Sequence, residues 1–401
     1  MFILRKLYCR TFQTAFRIAL PVLPYRNPKV VDSTTKIPSI LRKRHVDSVM
    51  IVTDAGVHGL GLIEPLKRAL TKCDITYCVY DRTVPNPTIE NVEEARKMYL
   101  KHDAQALIAF GGGSAMDCAK ACGARIARPK KSLNEMGGIL KVMRPIPLLI
   151  AVPTTAGMGS ETTLAAVIKD PATNHKYAIN DFPLIPRYAV LDYRVTMGLP
   201  KSITATTGMD ALTHAVEAYI GRSTTAETRA LAEEAVRLIS QYLKRAYDDG
   251  SDREAREGML RAAFCAGEAF SKSYVGYIHA VAHAVGGRYG TPHGLANAVI
   301  LPIVLRMYGE ACEAKLAKLA KIAGVARDCN TDEEAAELFI SWIEEMNASM
   351  DIPDHLEEIR EEDIPAMARY ADKEGNPLYP VPVLMDREEL EEIFFAVKGE
   401  E

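Results

Sequence analysis

The chain has 401 residues, a length typical of two hydrophobic cores rather than one. Its 49 lysines and arginines nearly balance its 52 aspartates and glutamates, and the formal net charge of −3 argues against a nucleic-acid-binding face. The eight cysteines form no CxxC pair, so we expect neither a zinc ribbon nor a dithiol redox motif, and a reducing, cytoplasmic compartment is favoured. No apolar run approaches the roughly 18 residues that a membrane span requires.

Residues 1–30 form a basic segment without a single acidic side chain. Leu4, Tyr8, Phe12 and Phe16 recur at helical spacing, which predicts an amphipathic helix that docks on the body of the protein or on another subunit. A basic segment that is poor in acidic residues is also compatible with two alternatives. They are a helix that lies on a membrane surface and a mitochondrial presequence.

Residues 31–200 alternate short β-type runs with helical stretches. The predicted strands are 47–52, 75–80, 106–110, 148–152 and 189–191, and the predicted helices between them are 59–72, 88–102 and 114–125. Alternation of this kind predicts a mostly parallel sheet that helices cover on both faces.

Two glycine-rich turns follow predicted strands in this half. At Gly111–Ser114 the glycines allow close approach of the backbone, and the following helix start offers N–H groups to a phosphate. The second turn, residues 154–161, suggests with the first a dinucleotide site at the carboxyl edge of the sheet. Met116 stands where the standard dinucleotide fingerprint has its third glycine. Asp54 would repel a 2′-phosphate and so favours NAD over NADP, although it could equally cap a helix or a turn.

Residues 201–401 are rich in Ala, Glu, Leu and Arg, and their apolar residues recur every three or four positions, so an all-α domain is predicted. The predicted helices are 202–220, 225–247, 253–270, 273–288, 293–307, 311–323 and 331–346.

Five side chains in this helical half form a candidate metal site. Asp210 and His214 lie at i and i+4 on one predicted helix, His279 and His283 do so on another, and His293 begins the next. A single buried histidine is usually only a hydrogen-bonded core residue, but this grouping favours metal binding. Imidazoles with a carboxylate suit Fe²⁺ or Zn²⁺ without choosing between them. Because five candidates exceed a four-ligand site, one histidine is expected to support a ligand or to take part in catalysis.

From about residue 27 to its end, the chain resembles the iron-containing alcohol dehydrogenase family. The matching motifs are GGGSAMD (111–117), TTAGMGSE (154–161), GMDALTHAVEAY (208–219), HAVAHAVGGRYGTPHGLAN (279–297) and NPLYPVP (376–382). The resemblance implies an α/β N-terminal dinucleotide-binding domain with a mostly parallel sheet, followed by an all-α C-terminal metal-binding domain.

The resemblance also assigns roles to individual residues. The implied metal ligands are Asp210, His214, His279 and His293. His283 is then the catalytic histidine that does not bind the metal. The implied cofactor contacts are Asp54, Asn86, Gly112, Gly113, Ser114, Thr154, Thr155 and Lys176.

The implied function is an oxidoreductase that transfers a hydride between a primary alcohol or aldehyde and a nicotinamide cofactor, NAD in preference to NADP. A divalent metal, Fe²⁺ or Zn²⁺, would polarise the substrate oxygen. A polyol dehydrogenase of the glycerol type, a maleylacetate-reductase-like enzyme and a non-catalytic member of the same fold are the alternatives. We expect a small-molecule substrate, a homo-oligomer and no nucleic-acid partner.

Overall fold

A computed structural model describes residues 2–172, 175–326, 329 and 331–399. The chain forms two compact units. Pro24–Thr155 and Gly159–Met197 make up the first, which we call the sheet unit. The described parts of Met1–Leu23, Ala156–Met158 and Gly198–Glu401 make up the second, the helical unit.

The sheet unit contains two β-sheets. Its described strands are β1 (Lys29–Val31), β2 (Ser48–Val52), β3 (Thr76–Tyr80), β4 (Ala106–Gly111), β5 (Gly138–Ile139), β6 (Leu148–Pro153), β7 (Ala165–Asp170), β8 (His175–Asn180) and β9 (Tyr188–Val190). The main sheet is parallel throughout, in the order β1-β9-β6-β4-β2-β3. The predicted α/β class with a mostly parallel sheet is therefore confirmed.

Alternate residues of the central strands enter two different cores. On β2, Met50 and Val52 belong to one buried cluster, whereas Val49 and Ile51 belong to the cluster on the opposite face. Because side chains of a strand alternate between faces, a strand that is covered on both sides reads as a continuous apolar run. Each such side chain contributes about 1.5–3 kcal/mol by leaving water, so these runs hold the sheet between its helices.

The helices of the sheet unit connect consecutive strands. They are α2 (Ile37–Lys43), α3 (Ala55–Gly59), α4 (Glu64–Thr71), α5 (Ile89–Lys101), α6 (Gly113–Ala127) and α7 (Leu133–Met136). The helix predicted over 59–72 is present as α4, but it begins later, at Glu64, and the preceding α3 was not predicted. Gly61 adopts a positive φ of 69° between them, a conformation that ends a right-handed helix, and Pro65 favours a new start in the first turn of α4.

The smaller sheet, in the order β5-β8-β7, was not predicted from the sequence. Strands β7 and β8 pair in antiparallel register, and β7 alternates between half-buried and buried positions. Its alternation includes lysine and aspartate at the end of the strand, which obscures the apolar pattern. The three-residue β1 is too short for any periodicity to indicate it.

A buried lysine on α6 organises the segment after the second glycine-rich turn. Lys120 Nζ lies 2.7 Å from Ser160 O, 2.8 Å from Thr163 Oγ1 and 2.9 Å from Ala165 O. Burial lowers the pKa of Lys120 to about 8, while the nearby carboxylate of Asp117 opposes that shift. Lys120 thus donates hydrogen bonds to several carbonyl oxygens of this segment from a fully buried position.

The helical unit is built from long helices around one almost wholly buried helix, α8. The described helices of this unit are α1 (Phe2–Ala19), α8 (Lys201–Ile220), α9 (Ala226–Asp248), α10 (Arg253–Ser273), α11 (Tyr277–Tyr289), α12 (His293–Tyr308), α13 (Glu313–Ala323), α14 (Asp332–Ser349), α15 (Ile364–Gly375) and α16 (Arg387–Lys398). The helical C-terminal part is as predicted, although α15 and α16 were missed. No helix in the described part of the chain is both long and apolar enough to cross a membrane.

The helix predicted near the N-terminus is present as α1, but the predicted docking face is wrong, because Leu4 and Tyr8 are 74% and 60% exposed. The side of α1 that docks carries Arg10 and Gln13 and contacts residues 379–382 of its own unit. Arg10 donates hydrogen bonds to the carbonyl oxygens of Val381 and Pro382, at 2.7 and 2.8 Å. Gln13 Nε2 donates to Tyr379 O at 2.7 Å. Specific polar contacts therefore hold the buried face of α1 on the protein.

We predict that Lys120→Met destabilises the protein, because methionine fills a similar volume but donates no hydrogen bond to the buried carbonyls. The expected loss is about 3 kcal/mol, or a Tm lower by roughly 5–10 °C in differential scanning calorimetry. Lys97→Met, at an exposed position on α5, is the matched control and should leave Tm unchanged. Equal melting of both variants would show that the buried ammonium group is dispensable.

Candidate metal and cofactor sites

Three helices place the candidate metal ligands. Asp210 and His214 occupy successive turns of α8, His279 lies in the first turn of α11, and His293 is the first residue of α12. These positions come from segments up to 83 residues apart (293 minus 210). Only the packing of the three helices makes them neighbours.

Glycine at position 294 allows α12 to begin directly against α8. A Cβ atom there would lie 2.4 Å from Thr206 O and 3.4 Å from Asp210 Cβ. The first distance is shorter than any side chain tolerates, so a larger residue would push the helix start away. Gly294 thereby keeps His293 beside Asp210.

The four side chains form one compact group. One nitrogen or oxygen atom from each of Asp210, His214, His279 and His293 lies within 4.8 Å of the corresponding atoms of the others. His279 Nε2 is 2.9 Å from His214 Nε2, and His293 Nε2 is 3.5 Å from Asp210 Oδ1. Ring nitrogens and a carboxylate that converge in this way fit a divalent transition metal in size and in chemistry.

Burial sets the protonation of this group. It lowers the pKa of His214 to about 4 and that of His279 well below its usual value. Both imidazoles are therefore neutral near pH 7, the form that binds a metal. Burial also raises the pKa of Asp210, although His214 and Asn297 oppose that shift. Polar groups gathered away from water in this way cost free energy unless a cation or hydrogen bonds compensate them.

Two residues that support the ligands were missed in the sequence. Glu217 Oε2 lies 2.6 Å from His279 Nδ1, and its Oε1 accepts a hydrogen bond of 2.9 Å from Ile278 N. This carboxylate orients the ring so that Nε2 points into the cluster. Asn297 Nδ2 donates to Asp210 Oδ1 at 2.7 Å. Both could have been found from helical spacing, because Glu217 follows His214 by three residues and Asn297 follows His293 by four, so each lies on the same helix face as a ligand.

His283 lies beside the cluster but makes a different contact. Its ring stacks on that of His293, with centroids 5.1 Å apart, and its Nδ1 lies 2.6 Å from Glu374 Oε1. Tyr379 OH donates to the same oxygen at 2.7 Å. Burial opposes the charge of Glu374, but His283 and Tyr379 bring the pKa of its carboxyl group below the usual value. Glu374 was also missed, since 91 residues separate it from His283 and no local pattern marks it.

Most of the predicted cofactor residues follow strands of the main sheet at its carboxyl edge, whereas Lys176 lies on β8 of the smaller sheet. Strands β2, β4 and β6 are adjacent there, which brings the segments after Val52, Gly111 and Pro153 together. Asp54 caps α3 by accepting a hydrogen bond of 2.9 Å from Val57 N, so the capping role that the sequence left open is present. The same carboxylate also faces the first glycine turn, because its Oδ2 would lie 3.5 Å from a Cβ at Gly111.

The first glycine turn opens directly into α6. Gly112 is the residue that precedes the helix and Gly113 begins it, and no side chain of Gly112 is available to cap the first N–H groups. Ser114 Oγ instead accepts a hydrogen bond of 3.3 Å from Asn86 N. Asn86 has a φ of 56°, which turns its backbone toward this helix start. The positive end of α6 thus offers backbone donors suited to phosphate oxygens.

The remaining predicted contacts lie around this turn. Thr154 N donates to Gly111 O at 3.1 Å, and a Cβ at Gly112 would lie 3.7 Å from Thr155 Oγ1. Lys176 stands opposite Lys169 on the paired strands β7 and β8. Lys169 N in turn donates to Pro87 O, so this pair of strands runs beside the loop that holds Asn86.

A parallel sheet with a candidate phosphate site at its carboxyl edge, followed in the chain by a helical unit with an Asp–His cluster, is the combination expected of metal-dependent dehydrogenases. Residues 30–193 match the family model described as iron-containing alcohol dehydrogenase, and residues 204–397 match that of the C-terminal part of the same family. The chain belongs to the iron-containing alcohol dehydrogenase family.

Individual relatives agree with this assignment. Alcohol dehydrogenase 4 of Schizosaccharomyces pombe is 38% identical over 339 residues, which cover 83% of this chain and 79% of the relative. The 1,3-propanediol dehydrogenase of Citrobacter freundii is 38% identical over 349 residues, 86% of this chain and 90% of the relative. A crystal structure of a 1,3-propanediol oxidoreductase superposes with a TM-score of 0.89 at 34% identity, over 92% of this chain and 98% of the other.

Membership of this family makes the chain an enzyme, an oxidoreductase that acts on small-molecule alcohols or aldehydes. The predicted family and reaction class are confirmed. The alternatives from the sequence, a polyol dehydrogenase, a maleylacetate-reductase-like enzyme and a non-catalytic member, are not favoured.

We predict that Glu217→Gln weakens metal retention by roughly 10–100-fold, because glutamine has a single carbonyl oxygen and cannot accept hydrogen bonds from both Ile278 N and His279 Nδ1. Metal content should be measured by mass spectrometry after dialysis against graded concentrations of a chelator. Glu268→Gln, a buried glutamate of α10 with no hydrogen bond to an imidazole in the described chain, is the control. Equal retention in the two variants would remove the orienting role of Glu217.

Proposed function

We propose that this enzyme interconverts a primary alcohol and the corresponding aldehyde by hydride transfer to or from NAD, and that it requires a divalent metal. The observation that carries the proposal is the convergence of Asp210, His214, His279 and His293 within 4.8 Å. A carboxylate and three imidazoles whose ligand atoms converge at that spacing match the donor set of a divalent transition-metal site.

Asp210, His214, His279 and His293 would hold the metal, either Fe²⁺ or Zn²⁺. When bound, such an ion supplies a Lewis acid that polarises the substrate oxygen. The single carboxylate leaves the occupied site with a net positive charge, which suits a substrate oxygen that carries developing negative charge. Three neutral imidazoles do not alter that balance, and Glu217 holds one of them in place through its hydrogen bond to His279.

The carboxyl edge of the main sheet would hold the cofactor. The residues we assign to it are Asp54, Asn86, Gly112, Gly113, Ser114, Thr154, Thr155 and Lys176. The start of α6 would receive the pyrophosphate, and the nicotinamide supplies the acceptor or donor of the hydride. The carboxylate of Asp54 beside Gly111 favours NAD over NADP, since it would repel a 2′-phosphate. Two relatives use or bind this cofactor, namely the NAD-dependent methanol dehydrogenase of Bacillus methanolicus and a sulfoacetaldehyde reductase of Bifidobacterium kashiwanohense in complex with NAD⁺.

His283 would carry the proton that alcohol oxidation releases. Its Nδ1 is held by Glu374, so the carboxylate stabilises the protonated ring. The His283 side chain is 42% exposed, and a proton taken up at Nε2 can therefore pass to solvent. Tyr379 holds the same carboxylate oxygen and so keeps the pair in one orientation.

We place the enzyme in a reducing, cytoplasmic compartment, as a homo-oligomer without a nucleic-acid partner. The eight cysteines are free thiols, and most of them are buried. Burial raises the pKa of Cys118 to about 12 and that of Cys78 to about 11, so these side chains behave as apolar packing groups rather than as redox centres.

The enzyme purified without oxygen should contain about one metal ion per chain and oxidise short primary alcohols with NAD in preference to NADP. Metal content and initial rates with both cofactors, over a panel of alcohols and aldehydes, measure this directly. Removal of the metal should abolish turnover, and re-addition of Fe²⁺ or Zn²⁺ should show which ion restores it. Turnover that persists after complete metal removal would overturn the proposal.

Two histidine variants separate metal binding from proton transfer. His293→Ala should lose both the metal and the activity, because it removes one of four ligands. His283→Ala should keep the metal but turn over roughly 10²–10⁴-fold more slowly, the usual contribution of a positioned acid or base. Metal loss in His283→Ala would show that the wrong four ligands were chosen, and wild-type turnover in it would exclude the proton-transfer role.

A further inference from the structure

The helical unit contains a basic pocket that shares no residue with the candidate metal cluster. Its volume is about 360 Å³, which is within the range of small-molecule sites. Five cationic side chains line it, namely Arg17, Arg222, Arg229, Lys315 and Lys318. A chain with a formal net charge of −3 has no general surplus of positive charge, so this concentration is local.

The cations come from segments that are distant in sequence. Arg17 lies near the end of α1, Arg222 just after α8, Arg229 in the first turns of α9, and the two lysines on α13. The fold therefore builds the pocket, and the N-terminal helix contributes one wall of it.

Among the residues that the structure describes, no carboxylate forms an ion pair with the cations of this pocket. In the described part of the chain, the side chains of Arg17, Arg222, Arg229 and Lys318 make no hydrogen bond or ion pair. Other arginines of the helical unit behave differently, as Arg306 pairs with both Glu337 and Glu344. No carboxylate is among the described lining residues, and Glu233 is held nearby by Tyr219 OH at 3.1 Å.

Lys315 shows the electrostatic consequence. Its ammonium group donates to Ile220 O at 2.6 Å and to Gly221 O at 3.2 Å, so it is fixed at the wall. Burial lowers the pKa of Lys315, and the positive charges of Arg229 and Arg222 lower it further. Like charges held together in this way repel one another, and an anion in the pocket would relieve that repulsion.

We propose that this pocket binds a compact polyanion that carries a diphosphate or an equivalent pair of phosphate groups. Three guanidinium groups present planar donor pairs that match phosphate oxygens, and five positive charges call for more than one negative charge. The pocket shares no residue with the sites proposed above, so this proposal does not depend on the proposed hydride transfer.

Two sources supply this chemistry, a soluble phosphorylated molecule or the headgroups of an anionic lipid. The second can be tested because α1 exposes several apolar side chains on its outer face. Leu4, Leu7, Tyr8 and Ile18 are 74%, 64%, 60% and 74% exposed. Such a face beside a basic pocket has the pattern of a helix at a lipid surface.

Inorganic pyrophosphate is the probe for the pocket itself, titrated calorimetrically into the metal-loaded enzyme with saturating NAD⁺, so that the cofactor edge is already filled. One saturable site is expected, and Arg222→Ala/Arg229→Ala should weaken it by roughly 10–100-fold. Lys321→Ala/Arg369→Ala removes two exposed charges of the same unit outside the pocket and should change the affinity less than twofold. No saturable binding, or equal weakening in both double variants, would overturn the proposal.

Vesicle flotation then distinguishes the two sources, with phosphatidylcholine alone compared with phosphatidylcholine that contains about 30% phosphatidylglycerol. If lipid is the source, only the anionic vesicles bind, and Leu4→Gln/Leu7→Gln abolishes that binding without changing the affinity for pyrophosphate. If the source is soluble, pyrophosphate binds and neither vesicle does. Both results support the pocket. The proposal is contradicted if pyrophosphate does not bind and if Arg222→Ala/Arg229→Ala still binds the anionic vesicles as the wild type does.

Discussion

The burial of polar side chains on α8 is the constraint on which the rest of the helical unit depends. Asp210, His214 and Glu217 occupy one face of a helix that is otherwise filled with small and apolar residues, and none of the three reaches solvent. A buried carboxylate or imidazole is tolerated only when partners compensate it. The surrounding helices supply those partners, as α11 brings His279 to Glu217 and α12 brings Asn297 to Asp210.

This arrangement joins stability to chemistry. Because His214 and His279 are buried, their imidazoles stay neutral and keep their nitrogens available to a cation, whereas a histidine on the surface titrates near pH 6.5. The close start of α12, which Gly294 permits, fixes one ligand against another without any flexible loop between them. His283 lies at the more exposed side, where a group that exchanges protons needs access to water.

In the sheet unit, the candidate site is formed mainly by backbone groups rather than by side chains. The strands end at one edge, and the turns that follow β2, β4 and β6 leave N–H groups and short polar side chains there. Lys120 donates hydrogen bonds to carbonyl oxygens of the segment after the second turn, and it thereby holds that segment in place. A sheet edge with backbone donors at a helix start is the kind of feature that binds a dinucleotide phosphate, as we propose for this chain.

Much of this was readable in the sequence because it is local. Continuous apolar runs indicated the parallel strands, and the i and i+4 spacing of Asp210 with His214 indicated ligands on one helical face. The five-residue α3 and the short β1 and β5 were not predicted, since elements of two to five residues are too short to show a period.

Only the tertiary structure decided the partners that come from far along the chain. It paired Glu374 with His283 across 91 residues and gathered five cations of separate helices around one pocket. Sequence periodicity determines which face of an element is apolar, and therefore which residues turn inward together. The identity of the facing residue depends on how whole helices pack, and no pattern within one segment carries that information.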